Sequence, residues 1–213
     1  MSKVELTLYQ ALEKKKILEK RVNKVRGNEL VGIRKKHIEE TITGVPLADV
    51  KAAMEENLAS SVSLVNNYIT LKAAINEANA VTKVTIAGKE YTIANAIARY
   101  RGLDNEEYLY RNMLSNVVNA KNKVELTNQK YLSPESISRY VANILGDSKK
   151  DEALIAATEQ RYREANEVEL YDPLDTEKLA TEKIEEIELF REEFHSVLTT
   201  ANCNTVITVE FAD

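Results

Sequence analysis

The feature that most constrains the fold is a regular apolar spacing between residues 93 and 126. Hydrophobic positions alternate there at intervals of four and three residues, the repeat of a helix that packs along another helix. Glu107 and Lys121 interrupt this repeat at two of its nine positions. The other seven positions are Ala96, Tyr100, Leu103, Tyr110, Leu114, Val117 and Val124. We call these nine positions the heptad seam, and they predict a long coiled-coil helix.

The rest of the chain favours helix as well. Its 213 residues include only 6 Gly and 3 Pro, which is typical of mainly helical proteins. One exception is "KVTIAGKEYTI", whose alternating residues predict a β-hairpin of 83–86 against 90–93. We therefore predict a mainly α fold of long antiparallel coiled-coil helical hairpins, with a small β-hairpin or three-stranded element.

A short phrase occurs twice. "ANAVTKVTI" spans 78–86 and "ANCNTVITV" spans 201–209, each where a long helical stretch gives way to a strand pattern. Asn79 and Asn202 then lie at helix ends, where Asn tolerates the left-handed conformation. We predict that the strands of both copies meet in one small sheet. The expected organisation is a single elongated domain, 1–213, with two helical-hairpin halves of approximately 1–93 and 94–213.

The region after Pro46 predicts a helix that continues to about Asn76. One face of this helix is apolar and includes Met54, Leu58, Val65, Ile69 and Ala73. A helix of this length needs a partner along it, because isolated helices are marginal in water. We therefore expect a homo-oligomer.

Charge is unevenly distributed. Residues 1–36 contain 11 Lys and Arg against 4 Asp and Glu, whereas 151–213 contain 5 against 17. The basic start suggests either nucleic-acid binding or a basic helix that lies beside an acidic one, within the chain or across subunits. The net charge of −5 makes a nucleic-acid polymer the less favoured partner. Without a long apolar run or a signal-peptide pattern, we expect no membrane partner and a location in the cytoplasm.

Motifs that carry catalysis are not found. The two histidines, His37 and His195, and the one cysteine, Cys203, have no metal-ligand spacing, and no phosphate loop or nucleophile elbow occurs. We therefore expect no enzyme activity, no catalytic residues, no metal and no cofactor.

A stretch rich in Arg and Tyr, "ARYRGLDNEEYLYRNM", is the candidate ligand site. Arg101, Tyr108 and Arg111 share one helix face, where the two Arg would bind phosphate and the Tyr would stack on a base. The alternative is a set of surface ion pairs between Arg101, Asp104 and Arg111 that binds no ligand.

Two segments, "INEANAVTKVTIAGKEYTIANAIARY" and "TTANCNTVITVEF", resemble a family of bacteriophage helical proteins of uncharacterised activity. "DPL" at 172–174, before the last helix, resembles that family too. A second resemblance, to septicolysin-like helical proteins, concerns architecture and not activity. These resemblances involve structural motifs, so they imply a fold and no chemistry.

The resemblance to phage proteins implies two functions. The first is a non-catalytic oligomeric binding protein, with anti-defence sequestration of a nucleotide-like immune signal as its specific form. The second is a structural or assembly component of the phage virion. The sequence favours the first, because charged residues interrupt the apolar seams at positions where a ligand or partner enters.

Overall fold

The computed structural model describes residues 2–25, 30–34, 41–146 and 151–212. This part of the chain is mainly α-helical with small antiparallel strand pairs, which confirms the predicted fold class. The elements are β1 (Ser2–Thr7), α1 (Leu8–Val25), β2 (Thr41–Ile42), β3 (Val45–Pro46), α2 (Leu47–Val81), β4 (Lys83–Ile86), β5 (Lys89–Thr92), α3 (Ile93–Leu132), α4 (Pro134–Leu145), α5 (Glu152–Asn166), α6 (Thr176–Asn204) and β6 (Val206–Phe211). None of the described helices is long and apolar enough to cross a membrane.

The chain divides into two compact units. The first comprises Met1–Arg101 and Leu189–Asp213, and the second comprises Gly102–Glu188. The boundaries therefore fall within α3 and α6, and they differ from the halves that the sequence suggested near residue 93. The interpretation as a single domain stays a prediction.

The first unit contains a two-stranded sheet of β1 and β6. These strands pair antiparallel, from Ser2 opposite Phe211 to Thr7 opposite Val206. Alternate residues of β6 are buried, namely Ile207, Val209 and Phe211, because one face of the strand packs on the core. The first helix begins at Leu8, directly after the last residue of β1.

The β-hairpin is a separate sheet. β4 pairs with β5 in the predicted region, with Lys83 opposite Thr92 and Ile86 opposite Lys89. The prediction that both copies of the repeated phrase meet in one sheet is wrong, because β6 pairs with β1 while β4 pairs with β5. The described strands form three two-stranded sheets, so the predicted three-stranded element is not present among them.

The helix ends of the repeated phrase also differ from the prediction. Asn79 and Asn202 lie within the last turns of α2 and α6, and each helix continues for two more residues. The described non-glycine residues with positive φ are Thr43, Ala87 and Asp175. The predicted left-handed conformation of both Asn residues is therefore wrong, since each helix continues through its Asn.

The heptad seam is confirmed as the buried side of α3. Ala96, Leu103 and Val117 are buried, and the other four hydrophobic members of the seam are half-buried. Thr92 caps this helix, since its Oγ1 accepts from the Asn95 amide at 3.2 Å.

In the second unit, α3 and the start of α6 run antiparallel. Lys121 on α3 forms an ion pair with Glu177 near the start of α6. Tyr110, earlier on α3, contributes to raising the pKa of Lys183, which lies later on α6. Rising residue numbers along α3 therefore meet falling numbers along α6. The same unit contains the α4–α5 pair, and Ile137 and Val141 form the buried face of α4.

Candidate functional site

The three residues proposed as a ligand site all lie on the exposed surface of α3. Arg101 is the last α3 residue of the first unit, whereas Tyr108 and Arg111 belong to the second. The Tyr108 residue is 69% exposed. Arg111 donates through Nε to Glu107 Oε1 at 2.6 Å. Part of the Arg111 guanidinium is therefore engaged in an ion pair, with Glu107 as its partner.

Both charged interruptions of the heptad seam are ion-paired within the second unit. Glu107 pairs with Arg111 one helical turn later, and Lys121 on α3 pairs with Glu177 on α6. Partners of opposite charge reduce the cost of placing a charge in an apolar seam. These pairs account for the two interruptions without an entering ligand.

A cleft of about 380 Å³ lies in the second unit, where the end of α3 meets α4 and α5. Two cationic and three phenolic side chains line it: Lys130, Arg139, Tyr131, Tyr140 and Tyr162. We call this group the tyrosine cleft. The volume of the tyrosine cleft lies within the range typical of small-molecule sites. The cleft also combines cationic side chains with aromatic rings.

Local structure positions each side chain of the tyrosine cleft. Ser133 accepts from the Ser136 amide at 3.2 Å and so begins α4 immediately after α3 ends. The Ser136 hydroxyl donates to the Lys130 carbonyl at 2.8 Å, which fixes this corner. Ile137 and Val141 are the buried residues of α4, whereas Arg139 is exposed and Tyr140 is half-buried.

The aromatic rings of the tyrosine cleft are close to each other. The Tyr140 and Tyr162 rings lie with centroids 4.5 Å apart and planes tilted by 33°. Lys130 Nζ lies 4.9 Å from the centroid of Tyr131. Aromatic rings are suitable partners for a planar group, and the ammonium and guanidinium groups of the same cleft are donors that suit an anion.

The sequence interpretation missed this cleft, although a signal was present. Arg-Tyr pairs occur at 99–100, 139–140 and 161–162. The first pair lies beside Arg101, in the Tyr-rich stretch from which the ligand site was predicted. The other two pairs lie on different helices, and only the packing of α4 against α5 brings Tyr140 to Tyr162.

The first unit contains a larger cavity of about 440 Å³, between α2 and the residue after β6. Its lining includes Glu56, Ser60, Asn67 and Ala212. Glu56 is the one ionisable group among its lining residues, so this cavity does not favour an anion.

The remaining residue types that were considered for chemistry are the metal-ligating side chains, the two histidines and the cysteine. The described residues contain no group of three or more His, Cys, Asp or Glu side chains that could hold a metal ion. His195 lies 3.2 Å from the Tyr100 hydroxyl and packs against Phe194, while Cys203 is exposed. His37 lies outside the described residues.

No family model matches the chain, and neither does any curated protein or any solved structure. The resemblance to bacteriophage helical proteins, and the functions that it implies, therefore stay predictions.

Proposed function

We propose that this chain is a non-catalytic binding protein for a small anionic ligand with an aromatic ring, of which a nucleotide is the best-fitting class. The observation that supports it is the tyrosine cleft, which combines Arg139 and Lys130 with the adjacent rings of Tyr140 and Tyr162. Stacking on Tyr suits a base, and a cationic fork suits a phosphate.

The charge around the tyrosine cleft favours a small ligand over a polymer. The second unit, 102–188, contains 19 Asp and Glu against 11 Lys and Arg. A nucleic-acid chain would extend its phosphates over this acidic surface, and the repulsion would oppose binding. A mononucleotide or a short cyclic dinucleotide needs only the local cations of the cleft.

The biological role that we propose is sequestration. A protein that binds a nucleotide-like immune signal without turning it over lowers the free concentration of that signal. Placing this activity in a phage anti-defence system in the host cytoplasm, and in a homo-oligomer, rests on the resemblance to phage helical proteins and on the apolar face of α2.

The test is calorimetric titration of the full chain with a panel of nucleoside mono- and diphosphates and cyclic dinucleotides. Arg139→Gln should weaken binding by about 10-fold or more, because a hydrogen bond to a charged group contributes about 1.5–3 kcal/mol. Arg163→Gln, an exposed residue of α5 that does not line the cleft, is the matched control and should bind as the wild type does.

A second pair of variants separates the two candidate sites. Arg101→Ala with Arg111→Ala should leave binding unchanged if the ligand lies in the tyrosine cleft. If this double variant abolishes binding while Arg139→Gln retains it, the ligand lies on α3 instead. If no member of the panel binds, the proposed function fails.

A structural or assembly component of the virion is the second candidate function. The observation that favours it is the exposed apolar face of α2, which suits a protein partner. Mass spectrometry of purified phage particles tests it: the chain should be present in stoichiometric amount, and its absence from the particles would exclude this role.

A further inference from the structure

A row of aliphatic side chains on α2 remains exposed in the folded chain. Leu58, Val62, Val65 and Ile69 are 50%, 50%, 36% and 56% exposed, and we call them the α2 stripe. In α2, every residue of which the structure describes, the buried positions are Leu71, Ile75 and Ala78, on a different side of the helix. The stripe thus belongs to a helix face that the described residues leave exposed.

The α2 stripe has the spacing of a coiled-coil interface. Its members are separated by four, three and four residues, so Leu58 and Val65 take d positions while Val62 and Ile69 take a positions. Residues 57–71 contain no Asp, Glu, Lys or Arg, although 30% of the chain is charged. An uncharged stretch of this length on an exposed helix is typical of a surface that packs against protein.

The spacing of the α2 stripe is the same in both directions, and every position in it is aliphatic. Around its midpoint, between residues 63 and 64, Leu58 mirrors Ile69 and Val62 mirrors Val65. An interface between two identical chains must complement itself under a two-fold axis. A second copy of α2 in antiparallel orientation meets this condition, because each a position then faces a d position with an aliphatic residue in both.

Charge selects the antiparallel orientation over the parallel one. Glu55 continues the a positions and Lys72 continues the d positions, so the antiparallel arrangement places each Glu55 opposite Lys72 of the second copy. A parallel pair would place Glu55 against Glu55 and Lys72 against Lys72. Like charges at facing positions are destabilising, which gives the interface a preferred direction.

We propose that the α2 stripe is the surface through which two copies of this chain dimerise, as an antiparallel α2–α2 coiled coil. This inference rests on the homo-oligomer included in the proposed function, and it names the residues that form it. The stripe lies in the first unit and the tyrosine cleft in the second, so dimerisation and ligand binding are separately measurable.

Sedimentation equilibrium of the full chain tests the interface. The wild type should be a dimer, and Val62→Glu should be monomeric, because two carboxylates would then be buried next to the facing Val65 side chains. The matched control is Val118→Glu on α3, where the replaced valine is 52% exposed and lies outside the stripe, and it should remain dimeric. A monomeric wild type, or a dimeric Val62→Glu, would overturn the proposal.

Cysteine cross-linking tests the orientation and does not depend on the folding of the Glu variant. In a Cys203→Ser background, Leu58→Cys with Ile69→Cys should form disulfide-linked dimers, whereas Leu58→Cys alone should not. In the antiparallel pair two Leu58 positions lie about 16 Å apart along the axis, beyond the reach of a disulfide. Cross-linking by the single variant would show a parallel pair, and no cross-linking by the double variant would exclude the interface.

Ligand titration of the Val62→Glu monomer separates this inference from the proposed function. Retained nucleotide binding by a monomer shows that the cleft functions without the dimer. A wild-type dimer that binds none of the nucleotides would leave the interface intact and contradict the proposed function alone.

Discussion

Asn128 shows how one side chain fixes a segment that is neither helix nor strand. Its side-chain amide donates to the Val168 carbonyl at 2.8 Å and accepts from the Val168 backbone amide at 3.0 Å. The side chain thus makes the two hydrogen bonds that a neighbouring strand would make. Asn67 makes the same two bonds to Ala212, after β6. Such pairs join residues far apart in sequence, so the sequence pattern gave no indication of them.

Asn128→Ala should destabilise the second unit. The variant loses both hydrogen bonds to the Val168 backbone. This loss should lower the free energy of unfolding by about 1–2 kcal/mol. Asn119→Ala, an exposed position on the same helix, is the control and should not lower stability, because Ala is the better helix former. Urea unfolding measures both variants, and equal losses would contradict the role of Asn128.

Asp172 should contribute a pH-dependent part of the stability. The Thr176 hydroxyl donates to its carboxylate at 2.7 Å, and this hydrogen bond, with further ones from backbone amides, lowers the pKa of Asp172 below its ordinary value of 3.8. The folded chain thus binds this proton less readily than the unfolded chain does. The stabilisation is present above the ordinary pKa and is lost as the pH falls through the lower folded pKa.

Acid unfolding followed by circular dichroism checks this dependence. Asp172→Asn should lose stability at neutral pH and show a smaller further loss on acidification. Thr176→Val, which removes the hydroxyl donor, should shift the profile in the same direction by a smaller amount. An unchanged acid profile in Asp172→Asn would contradict the assignment.

In the turn of the β4–β5 hairpin, Ala87 has a backbone conformation that is unfavourable for alanine. Ala87 and Gly88 form the two-residue turn with φ of 50° and 71°, as a type I′ turn requires. The Ala87 amide donates to Glu193 Oε2 at 2.7 Å, which ties the turn to α6 within the first unit. Alanine is strained at positive φ, whereas asparagine tolerates it.

Ala87→Asn should therefore raise stability by about 0.5–1 kcal/mol, measured as a higher midpoint in thermal unfolding. Ala80→Asn, in the last turn of α2, is the opposite control and should lower stability slightly because Asn is the poorer helix former. A lower midpoint for Ala87→Asn would indicate that the turn is not of type I′.

Elements governed by local sequence were predictable, and those governed by distant pairing were not. The heptad seam and the β4–β5 hairpin depend on neighbours along the chain, and each was identified from the spacing of its residues. β1 was missed because its partner β6 lies about 200 residues later, and a six-residue strand without a visible partner resembles the start of a helix.

For the whole molecule, the class of function that we propose was predicted from the sequence, and the structure adds the tyrosine cleft as a second candidate site for the ligand. Arg and Tyr were expected together on one helix face, at Arg101, Tyr108 and Arg111. The tyrosine cleft instead combines residues of α3, α4 and α5, and such convergence depends on packing that no single helix pattern encodes. Similarly, the apolar face of α2 was visible in the sequence, but only the structure shows that its aliphatic side chains stay exposed.

One measurement can test together that this chain is an oligomer and that it retains a nucleotide-like ligand. Native mass spectrometry of the full chain, purified gently from phage-infected cells, measures the oligomer and any bound small molecule together. We expect a dimer with one nucleotide-sized mass per chain, which Arg139→Gln removes and Arg163→Gln keeps. A monomer without added mass, still bare after incubation with the nucleotide panel, would contradict it.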